Sequence, residues 1–503
     1  SPLLMGLNIL VNSKMVKSMA KEHSPILMDE NILVNGKMIK YMAKEHSPIL
    51  VGLNILVNSK MVYIMAKEHS PFLMDENILV DGKMVYFMVR EHSPFLMGLS
   101  ILVDGKMCRT TKISSITIKP GPLSYEEIQT ALIFANPGDT INLDEGIFNF
   151  EDGLSLSVDN VTIQGKGMDK TILSFKNQKS GAEGLMVTSN KVILKDFAIE
   201  DTIGDAIVVK GAEGISFIRI RTEWTGGPKE TNGAYGLYPV QSKDVLIKEC
   251  IAIGASDAGI YVGQSERIKV IDSVAKFNVA GIEIENSYYA EVIGNIAEHN
   301  TGGILVFDLP DLPQQGGHSV LISKNKVMNN DTKNFAPEGN IVGKTPNGTG
   351  IMIMANENIE VKENDIRNNA TAGILIVSYQ EETDDKNYNP IPNKIYIHNN
   401  TLVNNGYDVD KKRAGPISDV IPGKAPEIIW DGVTPISEWL RIKPSKRVIL
   451  GKNFSDKGEA DFVNLKLMTK YLIPRFHKID KNLHNYLGEI ESLEPVSFLK
   501  EIN

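Results

Sequence analysis

Cysteine is nearly absent. Cys108 and Cys250 are the only two in 503 residues, so neither a disulfide framework nor a cysteine-rich metal site can be built, and no CxxCH haem attachment occurs. Basic excess is missing as well: Lys+Arg 53 against Asp+Glu 62 gives a formal net charge of −9, without a basic stripe, which argues against a nucleic-acid partner. No uncharged apolar run reaches the roughly 18 residues of a membrane-spanning helix, so no transmembrane segment is expected. Ser1 is followed by no basic-then-apolar leader, and a signal peptide is expected to be removed, upstream or absent. The polar run Val103–Met107 before Cys108 does not suit a lipoprotein cleavage site. The Ca²⁺-binding GGxGxDx repeat is also lacking.

Repetition is what the chain has instead. From Val192 to about Asn405 a unit recurs whose shortest copies, Val192–Gly214, Val245–Arg267 and Ile268–Ala290, are about 23 residues long. Each copy opens with an alternating strand such as Val245-Leu246-Ile247-Lys248-Glu249 and later runs a strand headed by Gly: Gly259-Ile260, Gly281-Ile282, Gly303-Ile304, Gly350-Ile351, Gly373-Ile374. Such a period with short strands and Gly/Asn corners specifies a parallel β-helix, whose coils stack because none buries its apolar face alone. Two polar columns follow from the alignment: Cys250, Ser273, Asn295, Asn325, Asn364, Asn400, and Asn278, Asn300, Asn330, Asn369, Asn405. Asn tolerates left-handed corners and bonds its equivalent one coil away, so these side chains are read as structural. Cys250, in the same column, is read as a packed small residue rather than a nucleophile.

The first 107 residues are a different object. Ser-Pro recurs at residues 1, 24, 47, 70 and 93, a strict period of 23 with nearly fixed Asn-Ile-Leu-Val, Lys-Met and Glu-His, and the segment holds 13 of the 19 methionines. Near-identity of this kind indicates recent tandem duplication. Ile32–Ile39 reads as two strands about an Asn-Gly turn, a hairpin signal. Met15, Met19 and His23, repeated as Met38, Met42 and His46, would line one face of a helix with soft metal ligands; apolar packing with a solvated His is the preferred reading. The expected organisation is therefore tandem repeats over 1–107, a β-helix over 108–405 and a capping tail over 406–503.

A solenoid needs closed ends. Ser124-Tyr125-Glu126-Glu127 reads as a capping box opening a helix over Glu126–Ala135 that plugs the first coil. The tail loses the repeat at about Gly406, with helices expected at Ile436–Ile442 and Leu465–Tyr471, and Ile428-Ile429-Trp430 folding back to cap the far end.

In the Gly-headed strands the Ile positions point inward, so the neighbouring column, Val208, Tyr238, Tyr261, Glu283, Leu305, Met352, Leu375, points outward, with Glu285 and Phe307 further on. Long insertions at 222–234, 308–319, 331–348 and 380–394 would wall a groove beside it. Tyrosine faces cover sugar C–H surfaces, and carboxylates accept from hydroxyls or transfer protons. Arg219 and Arg221, outward on the first strand of the Tyr238 coil, would lower the Tyr238 pKa or neutralise a uronate. Glu283 with Asp257 or Asp308 would supply the paired acids of a glycoside hydrolase. Asp308 and Asp311, with His318 nearby, suit a Ca²⁺ ion; an ordinary acidic turn is the preferred reading, and no cofactor is expected.

At Tyr235-Gly236-Leu237-Tyr238-Pro239-Val240, followed by Asp257-Ala258-Gly259-Ile260, the chain resembles right-handed β-helix proteins of the carbohydrate-binding and sugar-hydrolase type, among them mannuronan epimerases and alginate lyases. The resemblance covers about residues 114–405. It implies an all-β, right-handed, single-stranded parallel β-helix of the pectate-lyase-like kind, an extended polysaccharide as partner, and a secreted, periplasmic or cell-surface location. Epimerases carry YG[FI]DPH[DE] here; Tyr235, Gly236 and Pro239 match, whereas the Asp position is Tyr238 and the His position is Val240. The expected function is glycan binding along a strand-face groove at Tyr238, Tyr261, Glu283, Glu285, Arg219, Arg221 and Asp308. A polysaccharide lyase or epimerase relative with a rebuilt site, and a structural or adhesive surface solenoid, are the alternatives.

Overall fold

The computed structural model describes residues 115–440 and 446–499 apart from residue 422, and before residue 115 only strand segments. Two compact units divide the chain, Ser1–Ile113 and Ser114–Asn503.

In the first unit, equivalent strands of successive repeats pair in parallel one repeat apart: Asn8 with Asn31, Asn31 with Asn54, Asn54 with Asn77, Asn77 with Ser100. The expected hairpin at Ile32–Ile39 does not form, because Asn31–Ala43 is one strand. Pairing with an identical neighbour satisfies the whole strand, and this outweighs the local turn preference of Asn35-Gly36. Among the described residues of this unit a hairpin pairing closes in the last copy, Leu102 and Val103 with Met107 and Lys106. Met15 and Met19 lie in the strand Asn8–Ala20, so no helical methionine face arises. His23 and His46 fall outside the described residues.

The second unit is a solenoid of three parallel ladders. One coil comprises Lys243–Lys248, Ile251–Ile253 and Ala258–Gly263. The first ladder runs from Ser115–Ile118 to Val448–Leu450, the second from Gly146–Asn149 to Phe454–Ser455, and the third from Leu154–Leu156 to Phe462–Asn464. The ladders thus continue past Asn405, and Ile428–Trp430 pairs with Ile374–Ile376 as a further rung instead of folding back. Long loops separate these last coils, and strands of three residues carry no countable period. Short helices stand at Ile436–Trp439 and Leu467–Leu472. The last stretch lies along the first ladder, where Leu493, Val496 and Leu499 N–H groups donate to Glu360, Glu291 and Asp244.

Inward side chains form one continuous core, with Ile207, Leu237, Ile260, Ile282, Ile304, Ile351 and Ile374 stacked and fully buried on the third ladder. At its start the helix Ser124–Phe134 inserts Ile128 and Leu132, and Tyr125 packs edge-on to Phe150 with centroids 5.9 Å apart. The helix begins earlier than expected. Ser124 therefore lies inside its first turn, its hydroxyl is buried without a hydrogen-bond partner, and the capping box is not made.

The Gly and Asn columns prove to be one device. A Cβ added at Gly259, Gly281, Gly303, Gly350 or Gly373 would lie 2.6, 2.8, 2.8, 3.0 or 3.1 Å from the amide nitrogen of Asn278, Asn300, Asn330, Asn369 or Asn405, so each glycine makes room for one ladder amide. Each of these amides spans two coils: Asn300 Nδ2 donates to Ala275 O at 2.9 Å and to Asn330 Oδ1 at 3.1 Å, while Asn300 Oδ1 accepts from Asn278 N and Nδ2, both at 3.0 Å. The left-handed corner, however, belongs to the preceding residue: Phe277, His299, Asn329, Asn368 and Asn404 have φ of 59°, 54°, 53°, 55° and 57°. Side chains such as Phe pay a strain of order 1 kcal/mol there, offset by the amides beside them. Cys250, whose N–H bonds Ser273 Oγ at 3.1 Å, is fully buried, and burial pushes its thiol pKa up to about 12, which leaves it a packing residue.

Candidate functional site

The outward column of the third ladder is assembled by register: Val208 pairs with Tyr238, Tyr261 with Glu283, Glu283 with Leu305, Leu305 with Met352. Alternation assigned its direction correctly, but the column is not an open groove. Tyr261, Leu305, Phe307 and Leu375 belong to a second apolar cluster with Val342, Tyr388 and Ile417, contributed by the long loops, so the downstream half of this face is roofed. Tyr235 and Tyr238 stay half-buried at the upstream end.

There three rings pack together, with centroids 4.4 Å apart for Tyr235–Tyr238, 4.7 Å for Tyr235–Tyr261 and 5.0 Å for Tyr238–Tyr261. Tyr261 donates to Glu285 Oε1 at 2.7 Å. Gly263 permits this bond, because a Cβ at that position would overlap the Tyr261 hydroxyl. Behind the rings stand Asp257, Glu283 and Glu285, exposed by 6%, 1% and 7%. Asn340, from the 331–348 loop, donates to Asp257 Oδ2 at 3.1 Å. Glu283 Oε2 is buried and has no hydrogen-bond partner.

Burial and mutual repulsion set the protonation of this group. Burial, then the charge of Glu285, raises Asp257 to about 7. Glu283 is held well above the usual carboxylate range by burial and then by Asp257 and Glu285, and burial also raises Glu285. At the edges burial lifts Asp205 and Asp308 to about 6 each. Tyr238 is raised by burial, then by Asp205, Glu285 and Asp257, so its hydroxyl keeps its proton. Near neutral pH the cluster holds both protonated and ionised carboxyls, an arrangement able to donate and accept protons or to bind hydroxyl groups.

Of the expected site residues, Tyr238, Tyr261, Glu283 and Glu285 are brought together. Arg219 and Arg221 are not. Their strand, Glu213–Glu223, belongs to the first and second ladders, where Arg219 pairs with Asp196 at 2.6 Å and Arg221 with Glu200 at 2.7 Å. The correction is geometric: a coil has three outer faces, and outward on one is not beside outward on another. Asp308 closes its own loop, accepting from Gly316 and Gly317 N–H at 3.2 and 2.8 Å, while Asp311 Oδ2 accepts from Thr383 at 3.3 Å, so these carboxylates serve different partners. His318 stacks on Tyr288 with centroids 4.6 Å apart. Asp205, Tyr235, Asn340 and Tyr388, whose hydroxyl donates to Asp308 O, were not expected. Tyr235 stood in the matched part of the YG motif. Asn340 and Tyr388 sit in long loops whose docking leaves no local signal.

The right handed beta helix region family matches residues 145–312 and 230–415. No curated protein matches the sequence. Among solved structures, the A-module of the mannuronan C-5 epimerase AlgE4 of Azotobacter vinelandii is similar at 16% identity and a TM-score of 0.42, over 67% of this chain and 83% of that one. The AlgE6 A-module of the same organism is similar at 15% and 0.46, over 69% and 88%. The pectate lyase Pel9A is similar at 15% and 0.34, over 58% and 70%.

Proposed function

We propose, from the premise that this chain belongs to the right-handed beta-helix family, that it binds an extended glycan at the acid–tyrosine rungs of the third ladder. The observation that carries this reading is Glu283, a buried carboxyl with an oxygen that no protein group satisfies. An unmet buried polar atom costs about 1–3 kcal/mol, which a folded protein retains where a ligand or water completes it. A sugar hydroxyl both donates and accepts, so it suits the carboxyl in either protonation state. Tyr235 and Tyr238 supply the half-buried aromatic surface on which a sugar ring rests. We place this protein outside the cytoplasm; cell fractionation tests that placement.

Thermal unfolding in the presence of a panel of neutral and acidic polysaccharides is the direct test. At least one should raise the midpoint saturably, and Tyr238→Ala should weaken that binding about tenfold, the loss of one stacked ring. A panel with no effect on the parent protein sinks the reading. A second reading, acid–base catalysis on the same glycan, is favoured by Asp257, raised to about 7 beside Glu283, which burial holds well above the usual carboxylate range. New reducing ends, unsaturated ends or an inverted uronate C-5 in the same mixtures would establish it, and the absence of all three would leave binding alone.

A further inference from the structure

The outer face of the third ladder changes character within one coil. Glu283 and Glu285 pair in register with Leu305 and Phe307, these with Met352 and Met354, and these with Leu375 and Val377. Across one step of about 4.8 Å carboxylates give way to apolar side chains. At that point a cavity of about 190 Å³ opens, floored by Phe307, Met352, Met354 and Leu375 and walled by residues including Ile341 and, from the short helix Gly415–Val420, Ile417.

The charged groups of its rim already have protein partners. Lys344 Nζ lies 2.8 Å from Glu381, Arg413 Nε donates to Gly343 O at 2.8 Å, and Asp431 accepts from Ser378 N and Oγ at 2.7 Å each. An occupant therefore meets an apolar floor and adaptable thioethers, beside polar rim groups that already hold protein partners. A dry apolar cavity of about 150 Å³ accepts benzene, so this volume suits a ring or short chain.

We infer that the cavity takes a neutral apolar substituent, an aromatic ring or an alkyl group of about six to eight carbons, carried by the glycan that lies one coil upstream. The carrier rests on the glycan reading above; the cavity's preference does not. A ligand spanning both would set hydroxyls against Glu283 and Glu285 and its apolar substituent against Phe307 and the two methionines.

The test uses the full chain with ¹³C-methyl methionine, the Met352 and Met354 resonances being assigned by M352L and M354L. Phenol alone, and matched methyl and phenyl glycosides of each sugar in a panel, are titrated in. Phenol and the phenyl glycoside should shift both resonances, and the phenyl glycoside should bind at least about tenfold more tightly than its methyl partner, as burial of a ring predicts. Val377→Trp, which fills the cavity mouth, should abolish that difference and leave methyl glycoside affinity within about twofold. The methyl shifts in the parent protein keep the test valid should that variant misfold. Equal binding of methyl and phenyl glycosides, with phenol moving neither resonance, overturns the inference and leaves the glycan reading intact. Shifts with phenol but binding of no glycoside would uphold the cavity and remove the carrier.

Discussion

A column and a cluster of buried polar side chains lie in the same solenoid, and they are built differently. Along the corner between the second and third ladders, Asn278, Asn300, Asn330, Asn369 and Asn405 are 0% exposed, and their amides pass hydrogen bonds from coil to coil until Asn405 Nδ2 donates to Glu427 at 2.6 Å. On the outer face of the third ladder, Asp257, Glu283 and Glu285 are buried too, yet they repel one another and leave Glu283 Oε2 unmet. Burial alone does not separate structure from function. What differs between these two is satisfaction of charge-bearing or chained groups: the complete amide network rigidifies the fold, while the carboxyl cluster keeps an oxygen open to a partner.

The sharpest way to break that contrast is Asn300→Ala. It leaves Asn278 N and one Nδ2 hydrogen without their acceptor and Ala275 O without its side-chain donor, while Asn330 Oδ1 keeps the backbone N–H of residue 300. At about 1–3 kcal/mol per buried orphan, with partial relaxation, a loss of about 5 kcal/mol is expected in urea unfolding. A cost no larger than that of an exposed substitution would show that the amide column is ornamental.

The carboxylate cluster should behave in the opposite way. The Asp257 carboxyl, ordinarily near 3.8, stands at about 7 in the folded protein, so its proton is held more tightly folded than unfolded. Its contribution to stability is complete below about pH 3.8, is lost progressively as pH rises to about 7, and is flat above. Asp257→Asn removes the group from this titration. The variant should exceed the parent by about 3 kcal/mol at pH 8, somewhat less than the full shift because Glu283, Glu285 and Asp205 share the repulsion, and match it at pH 4. Equal stability at pH 8, read from chemical denaturation at both pH values, would mean that the cluster is not strained.

Column and cluster also differ in how far the sequence disclosed them. The amides were legible because stacking repeats a local requirement every coil: Gly259 opens a space and Asn278 fills it, and both letters recur at the same interval. Alternation likewise placed Tyr261 and Glu283 on the outside of the wall. It said nothing of the roof, which depends on Tyr388 reaching Asp308 and Asn340 reaching Asp257 across dozens of residues. Nor did it tell one outer face from another, which is why Arg219 and Arg221 were drawn to Tyr238 although their partners are Asp196 and Glu200. Past Asn405 the rungs at Val448–Leu450 and Phe462–Asn464 are too short, and too far apart in sequence, for a period to register.

A last and smaller test extends the satisfied column instead of removing it. In the companion ladder, Asn325 Oδ1 accepts from Asn295 N and Nδ2 at 2.8 and 3.0 Å, but Asn295 Oδ1 accepts only the N–H of Ser273, at 2.9 Å. Ser273 and Cys250 stand where the next amides would be. Ser273→Asn would give Asn295 its second donor, and an Asn Oδ1 can replace Ser273 Oγ as the acceptor for Cys250 N. If the amide makes the ladder, the variant should gain about 1 kcal/mol in thermal or urea unfolding, the net worth of one added buried hydrogen bond. A loss instead would mean that coil shape chooses where amides fit, and that the column ends at Asn295 because the wall narrows there.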